Sequence, residues 1–162
     1  MRTAVEKTLR HYLVRHGEAK ADMEDSARPL SDRGRKEVQR VARHAAILGL
    51  EVAQIRHSGK VRAQQTAEIL AEHLAPRLGI RQIEGLAPGD EPNRIRAELE
   101  AAGESLMLVG HLPHLSRLVS TLVLDDSEEE IIWPDTGTMV CLAKTERGFR
   151  LLWVLTPELA QA

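Results

Sequence analysis

Residues 105–109, Ser-Leu-Met-Leu-Val, form a continuous apolar run that stops at Gly110-His111 and gives way to Pro113. A strand without a polar face belongs in a sheet covered on both sides, and such sheets are built from strands alternating with helices. The rest of the chain supplies that alternation. Tyr12, Leu13 and Val14 close a strand that begins near Leu9 and ends at Arg15-His16-Gly17. Ser31 or Asp32 can cap a helix in which Val38, Val41, Ala42, Ala45 and Leu48 recur at helical spacing. Residues 52–58 read as a second strand and 60–74 as a helix with the small apolar stripe Ala63, Thr66, Ala67, Leu70, Ala71 and Leu74. A strand at 80–83, a helix at 93–101, and a helix from Pro113 to about Leu124 complete the series. Residues 138–143 and 149–155, joined by Lys144-Thr145-Glu146-Arg147-Gly148, read as a β-hairpin. The expected fold is α/β, a mainly parallel sheet with helices on both faces and an antiparallel hairpin at its C-terminal edge. The 162 residues are the length of one domain.

Composition removes several functions. Aromatic residues make up 2%, so the core is aliphatic and base-stacking nucleic-acid modules are excluded. Lys+Arg 22 against Asp+Glu 24 leaves a net charge of −2, with no general attraction to nucleic acid or anionic membrane. The single cysteine, Cys141, excludes an internal disulfide framework and a cysteine-based zinc site. No apolar run reaches a membrane span, and the first residues lack a signal-peptide core. The expectation is a cytoplasmic protein; nothing marks an obligate dimer, so a monomer is expected.

In open α/β sheets ligands bind beyond the carboxyl ends of the strands. Three strand ends carry chemistry here: Arg15-His16-Gly17-Glu18, Ser58-Gly59-Lys60-Val61-Arg62, and Gly110-His111. Two histidines and two arginines near helix N-termini suit a phosphoryl group, because guanidinium forks match phosphate oxygens and an imidazole is nucleophilic at neutral pH. There is no Walker-type glycine loop or Asp-rich metal motif, so the charge is expected to come from arginine and histidine, with no metal and no cofactor. Taken alone, His16 is also compatible with a strand-end histidine, Arg62 with a surface ion pair, Arg15 with a structural ion pair, and His111 with a helix cap.

The three blocks together resemble a known family. Arg15-His16-Gly17-Glu18 is similar to the RHG signature of the histidine phosphatase (phosphoglycerate mutase-like) superfamily. Arg62-Ala63-Gln64-Gln65-Thr66-Ala67 resembles its second block, and Val109-Gly110-His111-Leu112-Pro113 its third. The short chain and Arg28-Pro29-Leu30-Ser31-Asp32-Arg33-Gly34 resemble the SixA-type phosphohistidine phosphatases. The resemblance implies in-line attack by His16 on phosphorus, a transient phosphohistidine, and its hydrolysis by water. Arg15, Arg62 and His111 would surround the phosphoryl oxygens, His111 helping most when protonated. Gly17, Ser58 and Glu18 are candidate phosphate-binding residues. Ser58 can equally hold the turn, and Glu18 can orient neighbouring side chains or be a solvated loop acid. Leu112 stands where the superfamily often has Asn. Larger members place an acid after the third strand; Glu84 is the nearest candidate and Asp90 the next, with an exposed loop acid as the alternative for Glu84.

A phosphorylated imidazole needs less acid help than an alkyl phosphate, since the P–N bond broken matches the P–N bond formed. The implied substrate is therefore a phosphorylated protein of the histidine-phosphotransfer type. The alternatives are a small phosphomonoester or a non-catalytic phosphate-binding module. The remaining histidines, His11, His44, His57, His73 and His114, are expected outside the chemistry, with His114 a candidate for the pocket rim. A metal pair of His111 and His114 is a further reading of the spacing. The run Asp125-Asp126-Ser127-Glu128-Glu129-Glu130 reads as a solvated loop, and the cluster Arg28, Arg33, Arg35, Lys36, Arg40 and Arg43 as the wet face of a helix or a guide for an acidic substrate.

Overall fold

The computed structural model describes residues 8–160. Strands β1 (Leu9–Arg15), β2 (Gln54–His57), β3 (Ile80–Gln82), β4 (Leu106–Gly110), β5 (Met139–Thr145) and β6 (Gly148–Leu155) form one sheet. Helices α1 (Asp32–Ile47), α2 (Val61–Leu74), α3 (Asn93–Ala101) and α4 (His114–Leu124) connect them. The strand order is β3-β2-β4-β1-β5-β6. β1, β2, β3 and β4 run parallel, β5 lies antiparallel to β1, and β6 antiparallel to β5. The α/β sheet with an antiparallel C-terminal edge is the one the sequence pattern predicts.

The side-chain period of a strand sorts the core into two layers. Tyr12, Val14, Met107 and Val109 face one side, where they pack with Val38, Val41 and Ala45 of α1 and Ala67 and Leu70 of α2. Leu13, Leu106 and Leu108 face the other, with Ile95 and Leu99 of α3 and Leu115, Leu118 and Val119 of α4. All five residues of β4 are buried, which is why its sequence carries no polar alternation.

Several boundaries move. The second strand is shorter than residues 52–58 and the hairpin strands are longer than the sequence suggests, meeting at a turn over Glu146 and Arg147. Leu48 was expected on the buried stripe of α1; it caps the helix and is 54% exposed. Three residues beyond Ala45 the chain is already leaving helical geometry, so the periodic rule no longer applies. Among the described residues no helix is long and apolar enough to cross a membrane.

The central strands decide where the chemistry lies. Parallel neighbours β2, β4 and β1 end on the same edge, so residues 15–16, 58–62 and 110–111 converge there.

Candidate active site

The backbone of His16 is held from both sides. Its N–H donates to Gly110 O at 3.1 Å, at the end of β4. The Gly137 N–H, just before β5, donates to Arg15 O at 3.0 Å and His16 O at 3.1 Å. Arg15 N–H donates to Thr138 O at 3.1 Å. The side chain of His16 is fixed as firmly. Its Nδ1 lies 2.7 Å from Gly17 O. A carbonyl can only accept, so Nδ1 carries the proton and the neutral ring presents its lone pair at Nε2. That lone pair meets the Arg62 Nε–H at 3.4 Å.

Arg62 comes from the first turn of α2, which Gly59 makes accessible. Gly59 adopts φ +93°, a conformation that favours glycine at the turn from β2 into α2. Thr66, one turn on, accepts from Gly17 N–H at 3.0 Å and donates to Arg62 O at 2.8 Å. His111 follows β4; its ring lies 4.9 Å from that of His16, centroid to centroid. His111 Nε2 lies 2.6 Å from Ser58 Oγ, which also accepts from Lys60 N–H at 3.3 Å. Arg15 anchors one guanidinium arm, Nη1, on Pro134 O at 3.1 Å, while its buried Nε has no partner among the described residues.

Burial and crowding of cations set the electrostatics. Burial holds His16 down at about 4, reinforced by Arg62, Arg15 and Arg28 and opposed by the Gly17 hydrogen bond. Burial, then the charges of His16, Arg62, Lys60 and His114, hold His111 down at about 3. Both imidazoles are therefore neutral in the resting protein at pH 7, which differs from the protonated His111 that would serve best in the loaded state. The two arginines are also pushed down by burial, Arg62 further by Arg28. Asp135 opposes this at Arg15 and Asp22 at Arg62, but burial is the larger effect at both, and two half-desolvated guanidiniums beside neutral imidazoles suit an anion.

Of the residues singled out from sequence, His16, Arg15, Arg62, His111 and Ser58 lie together. Gly17 adjoins them, but its N–H and C=O are both spent on Thr66 and His16, so it orients the imidazole and has no free backbone group for phosphate. The Glu18 carboxylate is drawn off to the start of α1, where it takes the Ser31 hydroxyl at 3.1 Å and faces Arg33 at 3.7 Å. It is not turned to the phosphoryl hollow. Glu84 pairs with Arg94 at 3.2 Å and its side chain is 86% exposed. Asp90 accepts from Ala87 N–H at 2.9 Å and lines, with Ser58, Gln82 and Glu84, a cavity of ≈ 430 Å³. His114 is wholly buried and so lies behind the hollow, not on its rim. Among the described residues no group of three or more His, Cys, Asp or Glu could hold a metal ion.

The sequence sets Thr66 in an apolar stripe and in the second block, and neither shows its hydroxyl bridge. Its position four residues after Arg62 was the available signal, since a helical threonine returns its hydroxyl to the carbonyl one turn back. The sequence sets Arg28 on the wet face of a helix or as a guide for an acidic substrate. It stands at φ 49° in the loop before α1, donates to Lys20 O at 3.1 Å, and lends its charge to the surroundings of His16 and Arg62. The Pro134 carbonyl had no signal.

Comparison with known proteins agrees with this fold. Residues 11–88 match the model of the histidine phosphatase superfamily (branch 1). An uncharacterized protein of Picosynechococcus sp. is 42% identical over 112 residues, 64% of this chain and 67% of that protein. The structure of the protein histidine phosphatase SixA complexed with tungstate superposes with a TM-score of 0.83 at 24% identity, covering 92% of this chain and 97% of that one. The α-ribazole phosphatase of Shigella flexneri superposes with a TM-score of 0.76 at 18% identity, over 92% and 97% of the two chains.

Proposed function

The chain belongs to the histidine phosphatase superfamily, and from that premise we propose that it is a phosphatase working through a covalent phosphohistidine on His16, with protein phosphohistidine as its substrate. One observation carries the reading: His16 is neutral, its proton is committed at Nδ1 to Gly17 O, and its Nε2 lone pair faces the guanidinium of Arg62. A histidine that only held a strand end would have no reason to keep a lone pair in a cationic hollow.

In the first step the Nε2 lone pair forms a bond to phosphorus while the bond from phosphorus to the leaving nitrogen breaks. The leaving imidazole keeps the electron pair and takes up a proton from solvent. In the second step water attacks phosphorus, the P–Nε2 bond breaks, and inorganic phosphate forms with the proton passing to solvent. Arg15 and Arg62 hold the equatorial oxygens, and Ser58 with His111 supplies the remaining donors. The incoming negative charge raises the proton affinity of His111, so that a ring neutral at rest can become a double donor in the complex.

The choice of phosphohistidine rests on the place of the carboxylates. Glu84 is exposed and paired with Arg94, which suits a leaving group that departs without acid assistance. Asp90, on the cavity beside Ser58, favours the second reading, a small phosphomonoesterase in which this acid protonates a departing alkoxide.

The test is to incubate the protein with a radiolabelled phosphodonor and quench in alkali, where phosphohistidine outlasts acyl phosphate. Label on His16 that disappears in His16→Ala is expected. Binding without turnover in the parent protein would leave a phosphate-binding module instead. Turnover of a phosphorylated histidine-phosphotransfer domain is then compared with that of p-nitrophenyl phosphate; a clear preference for the small ester would overturn the protein substrate.

A further inference from the structure

Beyond the reactive pair lies a third imidazole that the reaction does not use. His114 is the first residue of α4 and is 0% exposed. Both of its ring nitrogens are buried without a partner among the described residues, and so is Nδ1 of His111, three positions earlier. Buried ring nitrogens are nearly always satisfied. Burying an unpartnered imidazole at the start of a helix costs free energy that a leucine at this position would not. The helix does not require it either, since the capping residue is Pro113 and no side chain caps the N-terminus.

Resting on the reading above, we propose that His114 is a positioning residue for His111, joined to its Nδ1 through a shared ordered water and thereby directing the His111 Nε2 proton at Ser58 and the phosphoryl oxygens. For neutral His111 to donate from Nε2, its Nδ1 must accept, and an acceptor buried there needs a donor. A polar neighbour behind the ring supplies one. When an anion enters and His111 takes a second proton, the same link accepts from Nδ1–H. An apolar residue at position 114 would leave that proton stranded.

The charged surroundings fit the arrangement. His114 faces Asp90 from the loop after β3, which favours its protonation, and Arg117 from α4, which opposes it. His111 faces His16 from β1, Arg62 and Lys60 from the start of α2, and His114 itself. Asp90 is fixed by the Ala87 N–H and lines the cavity beside Ser58, so the carboxylate that acts on His114 belongs to the cavity next to the hydroxyl that holds His111.

The experiment uses His114→Leu and His114→Asn in the full chain, with tungstate as oxyanion probe. Histidine-selective NMR follows the tautomer and titration of His111 with and without tungstate. In His114→Leu the His111 proton in the tungstate complex is expected to be lost at least about 0.5 pH unit lower than in the parent. On p-nitrophenyl phosphate kcat falls about tenfold with KM little changed, and His114→Asn recovers part of both. Should His114→Leu fail to fold, His114→Asn read against the parent decides. Identical His111 tautomer and titration in parent and variants would overturn the proposal. A parent protein without turnover would overturn the proposed function instead, and the NMR arm would still decide whether His114 acts on His111.

Discussion

Gly17 and Thr66 are joined by a hydrogen bond of 3.0 Å from the glycine N–H to the threonine hydroxyl, across 49 positions of sequence. Because Gly17 O also holds His16 Nδ1 and Thr66 Oγ1 also holds Arg62 O, this one contact ties the nucleophile to the arginine that faces it.

Removing that contact tests its worth. Thr66→Val keeps the shape but leaves a buried N–H unpaired, a loss of about 1–3 kcal/mol. The expected outcome is a lower urea midpoint and a fall in kcat of about tenfold, with Thr66→Ser close to the parent. A variant with valine and unchanged turnover would show that Gly17 is held by the fold alone.

The activity should survive acid that silences an ordinary histidine. With His16 held at about 4, only about 10% of it is protonated at pH 5. An NMR titration of the folded protein should find His16 still neutral at about pH 5.5, and kcat/KM corrected for substrate ionisation should hold down to that pH. A midpoint near 6.5 would contradict the desolvated, arginine-flanked setting.

Folding stability should follow the opposite limb. His11, His16 and His114 are held at about 4 and His111 at about 3, each chiefly by burial, against 6.5 when unfolded. Below 6.5 the unfolded chain binds these protons and the folded chain does not. Stability is therefore fully present above about pH 6.5 and is lost as pH falls toward 4, each group adding a slope of up to about 1.4 kcal/mol per pH unit. Urea melts at pH 7, 5.5 and 4.5 would show it; a flat midpoint over that range would not be consistent with buried neutral histidines.

Glu84→Gln separates the two candidate acids. With its side chain paired to Arg94 and facing solvent, the substitution should change kcat on p-nitrophenyl phosphate less than about twofold. A fall of the roughly 10²–10⁴-fold expected of a general acid would restore Glu84 to the chemistry.

Gly34→Ala should be severe although the residue touches no reacting group. A Cβ there would lie 2.1 Å from Glu18 O, a backbone clash that only movement of the loop or of α1 relieves. A loss of about 3 kcal/mol or more in a denaturant melt is expected.

The sheet was legible because its signals are local. The apolar run of β4, the amphipathic spacing of α1 and the glycine at the hairpin turn each report a neighbourhood of a few residues. The cluster of Arg15, His16, Arg62 and His111 was legible because each stands where a parallel strand stops. The rest depends on contacts that spacing does not encode. Glu18 looks like a site residue until Ser31 and Arg33 claim its oxygens. Arg28 looks like helix clothing until the loop folds it back on Lys20 O. His114 looks like one more spare histidine until burial leaves both its ring nitrogens without a protein partner among the described residues.

β5 lies against β1 on the side away from β4, and Gly137 and Thr138 at its leading end grip the carbonyls and amide of the two residues that matter most. A fragment stopping after α4 would keep every signature residue and lose that grip. It should be chemically mute, and supplying the missing hairpin as a separate peptide would be a direct way to switch it on.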